Sequence, residues 1–250
     1  MDAWLTPERQ LALSAILPVV LAILILTAEK YGPLAAPIQA SKGLVAPYFS
    51  SIAVIFGLFA ALLASDAWQK DTLARRILND EVDAARTIAQ VARAVGVERQ
   101  VLPSLKGYLE ASSKEDVYSA TAETARAKTE KAFEDLLAAV VRAPLTDAAL
   151  RGALIKAASD LKRAHDDRFH LADDVTVPIK WLSIVVFGAL TQMALMLVHV
   201  GQRRAMRVAV GLFTVAFSAC LIVIAIFDTP FDRILVDEPA ASLGALLKTL

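Results

Sequence analysis

Hydrophobic positions fall into four long blocks separated by polar chain. Gln10–Ala28, Gly43–Ser65, Trp181–Gln202 and Val208–Phe227 are uncharged or nearly so, His199 being the one titratable side chain in the third. Each is close to the ~20 residues a helix needs to cross a bilayer core, so the pattern predicts four membrane-spanning helices. Thr6-Pro7-Glu8 carries the signals of an uncleaved first helix: a capping hydroxyl, proline at the first helical position and an acid near the positive dipole end. The leading segment MDAWLTPERQ lacks the basic start of a signal peptide.

Between the second and third blocks lie 115 residues, 66–180, with 18 basic and 19 acidic side chains and helical rather than strand-like periodicity. Leu78, Val82, Ala85, Ala89 and Ala92 follow 4-3-4-3 spacing, a narrow coiled-coil-like seam ended by Gly96. Further helices are expected over about Val97–Ala111, Val117–Arg142 and Thr146–Asp173. No Gly or Pro follows Asp66, so the second membrane helix is predicted to run on as a stalk, from Gly43 to Val95, roughly 80 Å at 1.5 Å per residue. The expected fold is all-α: segment 1–65 with two membrane helices, a helical domain over 66–180 inserted between the second and third spans, two more spans over 181–227, and a C-terminal segment, 228–250. In that segment Leu243, Leu246, Leu247 and Leu250 share one side of a short amphipathic helix that either lies on the membrane or packs on the helical block.

The second span has two adjoining faces. Phe49, Ile52, Phe56, Phe59 and Leu63 fall in a stripe about 80° wide that leads to Asp66. Ala53, Gly57 and Ala61 form a small-xxx-small pattern suited to close helix packing. The aromatic face meets lipid or a neighbouring helix, or, if several copies surround a pore, lines a hydrophobic neck with Asp66 at its mouth. On the third span Gln192 and His199 share a polar face, suited to interhelical hydrogen bonding or to a conduction path.

Composition narrows the function. Mean hydropathy is +0.53 and 26 basic residues balance 26 acidic ones, without the basic patch of a nucleic-acid binder. Cys220 is the sole cysteine and lies in the fourth span, which excludes an intrachain disulfide and a multi-cysteine metal site. Phosphate-loop, dinucleotide, HExxH and GxSxG patterns are absent, so an enzyme is not expected, nor a cofactor. In HDDRFHLADD, residues 165–174, Asp166, His170 and Asp173 or Asp174 line one helix face that suits a divalent cation, though the interleaved Arg163 and Arg168 fit ion pairing on a solvated helix equally well. Basic residues of the short loops (Lys30, Lys42, Arg203, Arg204, Arg207) are balanced by those of the long block near the membrane (Lys70, Arg75, Arg76, Arg168, Lys180), leaving no preferred orientation.

APYFSSIAVIFGLFAALLASDAWQ, followed by Glu81 and Ala84-Ala85-Arg86, resembles the bacterial bestrophin-like domain family. The shared residues are Phe56, Gly57, Leu58, Phe59, Ser65, Asp66 and Trp68; then Tyr108 and Glu110 in a tyrosine-containing helix; Arg163 with Arg168; Pro178 and Trp181; Asp228, Pro230 and Phe231; and Val236 and Pro239. The Glu-Trp pair usual after the tyrosine helix is replaced by Asp116-Val117. The resemblance implies kinship with bestrophins: oligomeric, usually pentameric anion channels with an aromatic neck on the second membrane helix and a cytosolic helical domain between the second and third. By that implication the chain is an oligomeric channel for small anions in a bacterial inner membrane. The competing expectation is a membrane-anchored interaction or sensing module without a pore.

Overall fold

In the computed structural model, residues 7–31, 38, 40, 47–115, 117–119, 121–145, 147–173, 178–231 and 238–250 are described; within them the side chains of Pro7, Lys30, Pro47, Tyr48, Phe49, Pro178 and residues 238–240 are not. All regular structure among these residues is helical. The eight helices are α1 (Pro7–Tyr31), α2 (Pro47–Ala94), α3 (Glu98–Ser113), α4 (Ala122–Arg142), α5 (Ala148–Asp173), α6 (Pro178–Val198), α7 (Arg203–Asp228) and α8 (Glu238–Thr249). Helices α1, α2, α6 and α7 are each long and apolar enough to cross a membrane.

α2 is unbroken for 48 residues and passes through Asp66 as the sequence predicts. Its end is a Schellman motif. Gly96, at φ +73°, donates its N–H to Arg93 O, and Val97 donates to Ala92 O, which satisfies two of the last carbonyls through a left-handed residue that glycine adopts without a steric penalty. α5 starts on a side-chain cap: Asp147 Oδ1 accepts the N–H groups of Ala149 at 2.7 Å and Leu150 at 3.4 Å. α4 begins at Ala122, five residues later than the periodicity suggests.

The chain divides into two compact units: Met1–Gln69 with Thr176–Asp228, and Lys70–Val175 with Thr229–Leu250. In the first, α1 packs along α7 and α6, and α6 along α7. One cluster gathers Leu63, Ala67, Ile184, Phe217, Leu221 and Ile224, and a second Ala22, Met196, Met206 and Val210. Gly188 makes the α6–α7 contact possible: a Cβ there would overlap the Phe217 ring.

In the second unit the predicted seam is buried at Leu78, Ala85, Ala89 and Ala92, and the packed face is wider than expected, taking in Glu81, Ala84 and Ile88. The core continues through Val101, Leu105, Leu109, Leu136, Val140, Leu154 and Leu161. Leu243 and Leu246 of α8 are buried in this same core, with Leu247 and Leu250 against it. Of the two expectations for the C-terminal leucines, packing on the helical block is the one realised.

Candidate functional site

Functional side chains gather in two places, one in each unit. In the membrane unit the aromatic stripe of α2 faces the chain's own helices. Phe56 packs edge-on to Phe213 and Phe217 of α7, with ring centroids 5.2 and 5.3 Å away. Phe59 lies 4.9 Å from Phe187 of α6. Leu63 is buried and Ile52 partly so, while the Phe49 side chain lies outside the described residues. Asp66 accepts from Lys180 Nζ at 2.7 Å, and Trp68 stacks on Phe227.

The aromatic face thus meets neighbouring helices of the same chain, one of the alternatives the sequence leaves open, and the small-residue face is left uncovered. Phe56, Phe59 and Leu63 pack within the chain, whereas Ala53, Gly57 and Ala61 are exposed. The reason is volume: aromatic rings fill the space between α2, α6 and α7, and three small side chains leave it empty. The uncovered stripe carries Ser51, Val54, Leu58, Ala61, Leu62 and Ser65, and Val54, Leu58 and Leu62 are 69%, 58% and 60% exposed. α2 is also the least covered span: 11% of its apolar window is buried, against 17% for α1 and 33% for both α6 and α7.

Of the polar residues of α6, Gln192 bonds across helices and His199 within its own. Gln192 donates through Nε2 to Pro18 O at 3.0 Å and to Thr214 Oγ1 at 2.9 Å, tying α6 to α1 and α7. Thr214 donates in turn to Val210 O. His199 is half-buried and its Nδ1–H donates to Leu195 O on its own helix.

The second site is a buried ionic network in the helical block. Arg168 of α5 is fully buried and donates to Glu81 Oε2 at 3.3 Å, Ser112 Oγ at 3.2 Å and Glu115 Oε2 at 2.5 Å. Glu81 Oε1 accepts from Tyr108 Oη at 2.8 Å and Ser112 Oγ at 2.7 Å. His165 Nε2–H donates to Glu115 Oε2 at 2.9 Å. Burial works against the charge on Arg168, but Glu81 and Glu115 outweigh it and hold the guanidinium above its ordinary pKa. Burial first, and then the Glu81 charge, push the Tyr108 hydroxyl well above its own. Arg168 Nε, Glu115 Oε1 and His165 Nδ1 are buried without a hydrogen-bond partner among the described residues.

Glu81, Tyr108 and Arg168 all belong to the family resemblance; Ser112, Glu115 and His165 were not foreseen. The signal lay on the other face of the segment 165–174. Leu161, Ala164, His165, Arg168, Phe169 and Ala172 are buried at helical spacing, so His165 and Arg168 sit on the apolar face of α5. The face proposed for a cation is the solvated one. His170 and Asp173 are exposed, Asp174 lies outside the described residues, and Asp166 is engaged by Lys162 Nζ at 2.6 Å. Burial works against the Asp166 charge, but Lys162 outweighs it and lowers the pKa. Among the described residues no three His, Cys, Asp or Glu groups converge as metal ligands.

Comparison with known proteins agrees with this architecture. The bestrophin-like domain profile matches residues 16–241. The chain belongs to the bestrophin-like family. Among solved structures, this bestrophin-like chain is similar to a bacterial bestrophin homolog from Klebsiella pneumoniae phased on zinc, at 14% identity and TM-score 0.72, covering 95% of this chain and 96% of that one. Two single-substitution variants of that homolog match at TM-scores of 0.73 and 0.71, with 15% and 14% identity; 96% of this chain is covered each time, and 95% and 98% of theirs. At such identities the likeness establishes the fold. No curated protein matches. The bestrophin-like chain is thus a multi-pass, all-helical membrane protein.

Proposed function

We propose that this bestrophin-like protein is a subunit of an oligomeric channel for small anions in a bacterial inner membrane, with copies of α2 around the ion path. The observation that carries this reading is the uncovered stripe of α2. Ser51, Val54, Leu58, Ala61 and Ser65 recur at 3-4-3-4 spacing, all exposed, on the least covered of the four spans. The stripe bears no charge through the apolar core, as a constriction that opens by wetting requires. Val54 and Leu58 form its narrow part, and Phe56, Phe59 and Leu63 hold the helix from behind. Asp66 sits on the packed side with Lys180 and serves as an anchor at the membrane boundary. A pentamer is the assembly that the family resemblance implies.

The test is conductance of the purified protein in planar bilayers. Current that grows when Leu58 is replaced by alanine supports the reading, because truncation widens and wets the constriction. A protein that is monomeric in mild detergent and passes no ions overturns it, and leaves the membrane-anchored module without a pore.

A further inference from the structure

The link from α6 to α7 places three arginines at the edge of a membrane span. His199–Gly201 form a turn in which Gly201 takes φ +96°, and Gln202 donates its N–H to His199 O. Gln202 O then accepts the first helical bond, from Met206 N–H, and α7 begins at Arg203. Arg203, Arg204 and Arg207 fall within an arc of about 100° on the first two turns, taking 100° per residue. All three are exposed, and none makes an ion pair or a side-chain hydrogen bond among the described residues.

This placement is unfavourable without an anion. Cations near a helix N-terminus meet the positive end of the helix dipole. Among the described residues no exposed acid lies at this end of the unit. The acidic residues described in the membrane unit are Glu8, Asp66 and Asp228 at its other end, and Glu29, which is buried and has its own partner. The exposed charge described at this end is therefore wholly basic.

A second observation chooses the anion. Arg204 heads an exposed stripe that continues through Val208, Leu212, Val215, Ala219 and Val223, all on one side of α7. Val208, Leu212 and Val215 are 61%, 69% and 70% exposed. A free phosphate would use the arginines alone. A phospholipid uses both parts, with its phosphate among the guanidiniums and an acyl chain along the valine–leucine stripe.

We infer that Arg203, Arg204 and Arg207, with the Val208–Leu212–Val215 stripe below them, form a binding surface for an anionic phospholipid. The headgroup phosphate accepts from the guanidiniums, for which Arg is suited by its planar fork of donors. The site needs neither a pore nor a second copy of the chain, so it stands apart from the channel reading.

Native mass spectrometry of the detergent-purified chain titrated with phosphatidylglycerol or phosphatidylcholine tests this, with thermal melting in parallel. Three surface arginines predict a preference for the anionic lipid on the order of 100-fold, falling steeply with added salt. Arg203→Gln/Arg204→Gln/Arg207→Gln should bring the two lipids to equal occupancy. Arg204→Gln alone should lose part of the preference, and serves if the triple variant does not fold. Equal retention of both lipids by the unaltered chain overturns the inference. So does a preference that persists in the variants or ignores salt. Protection from melting by inorganic phosphate equal to that by phosphatidylglycerol assigns the arginines to a free anion and overturns the lipid.

Discussion

Arg168 and Glu81, 87 positions apart in sequence, meet at 3.3 Å with both side chains fully buried. The contact fixes α5 against α2, and Glu115 binds the same guanidinium. Two carboxylates converge on one arginine in a place water does not reach. Removing the cation leaves both acids buried and unpaired, the situation in which breaking a buried pair costs about 3–5 kcal/mol. Arg168→Met should therefore destabilise the protein by that amount, read from chemical denaturation in detergent. Replacing the pair with apolar residues, Glu81→Met with Arg168→Met, should recover part of the loss. A single variant as stable as the parent would falsify the idea that this pair holds the block together.

Tyr108 sets an alkaline limit on the same network. Its hydroxyl donates to Glu81, and burial and that negative charge keep the folded-state pKa well above the ordinary 10.0. In the unfolded chain Tyr108 releases its proton near 10; in the folded chain it does not. Above pH 10 the unfolded state thus binds fewer protons than the native state, so stability falls as pH rises, by up to ~1.4 kcal/mol per unit from this group. Below pH 10 the contribution is fully present. Tyr108→Phe should be less stable at neutral pH, for want of the hydrogen bond to Glu81, and should show a shallower alkaline slope by one proton's worth. Melting midpoints from pH 9 to 11 for the two proteins give the comparison, and parallel slopes would count against it.

Gly188 of α6 lies directly against the Phe217 ring of α7. A Cβ at this position overlaps Phe217 Cζ and Cε1, and the ring is itself held by Phe56 and Phe213. Gly188→Ala should cost about 1–3 kcal/mol, as overpacking of well-filled cores does. Adding Phe217→Leu, which vacates the contested space, should restore most of it. Melting in detergent checks both, and a Gly188→Ala protein of unchanged stability would show that the ring can move aside.

Residues 66–70 and 161–172 show what in this fold is legible in sequence. The four spans, the unbroken α2 and its stop at Gly96 follow from local signals: length of apolar runs, absence of breakers, and a glycine where a left-handed residue is needed. The buried network is long-range, and no local pattern brings Glu81, Glu115 and Arg168 together. A histidine and an arginine on the apolar side of α5 were its local sign, and the charged residues beside them in segment 165–174 masked it. The faces of α2 were separable by periodicity, but not their roles. Rings and small side chains both suit helix contacts, and only the volume between α2, α6 and α7 decides which turns inward.

The outward-facing stripe gives the sharpest expectation for α2. If the stripe of Val54 and Leu58 borders water in an open assembly, cysteines there will react with a charged, membrane-impermeant thiol reagent. Val54→Cys and Leu58→Cys should be modified, whereas Phe56→Cys, turned toward Phe213 and Phe217, should react at least about tenfold more slowly, because thiolates form and react poorly in buried apolar surroundings. Native Cys220, half-buried on α7, is first replaced by alanine so that it cannot report. The assay also separates a water path from a lipid-facing surface. Residues on a lipid-facing stripe are exposed in a single chain but stay dry in the membrane, and would resist the charged reagent while still taking up a lipid-soluble one. Modification of Phe56→Cys in preference to Leu58→Cys would return the aromatic face to the pore and set the packing of the isolated chain aside.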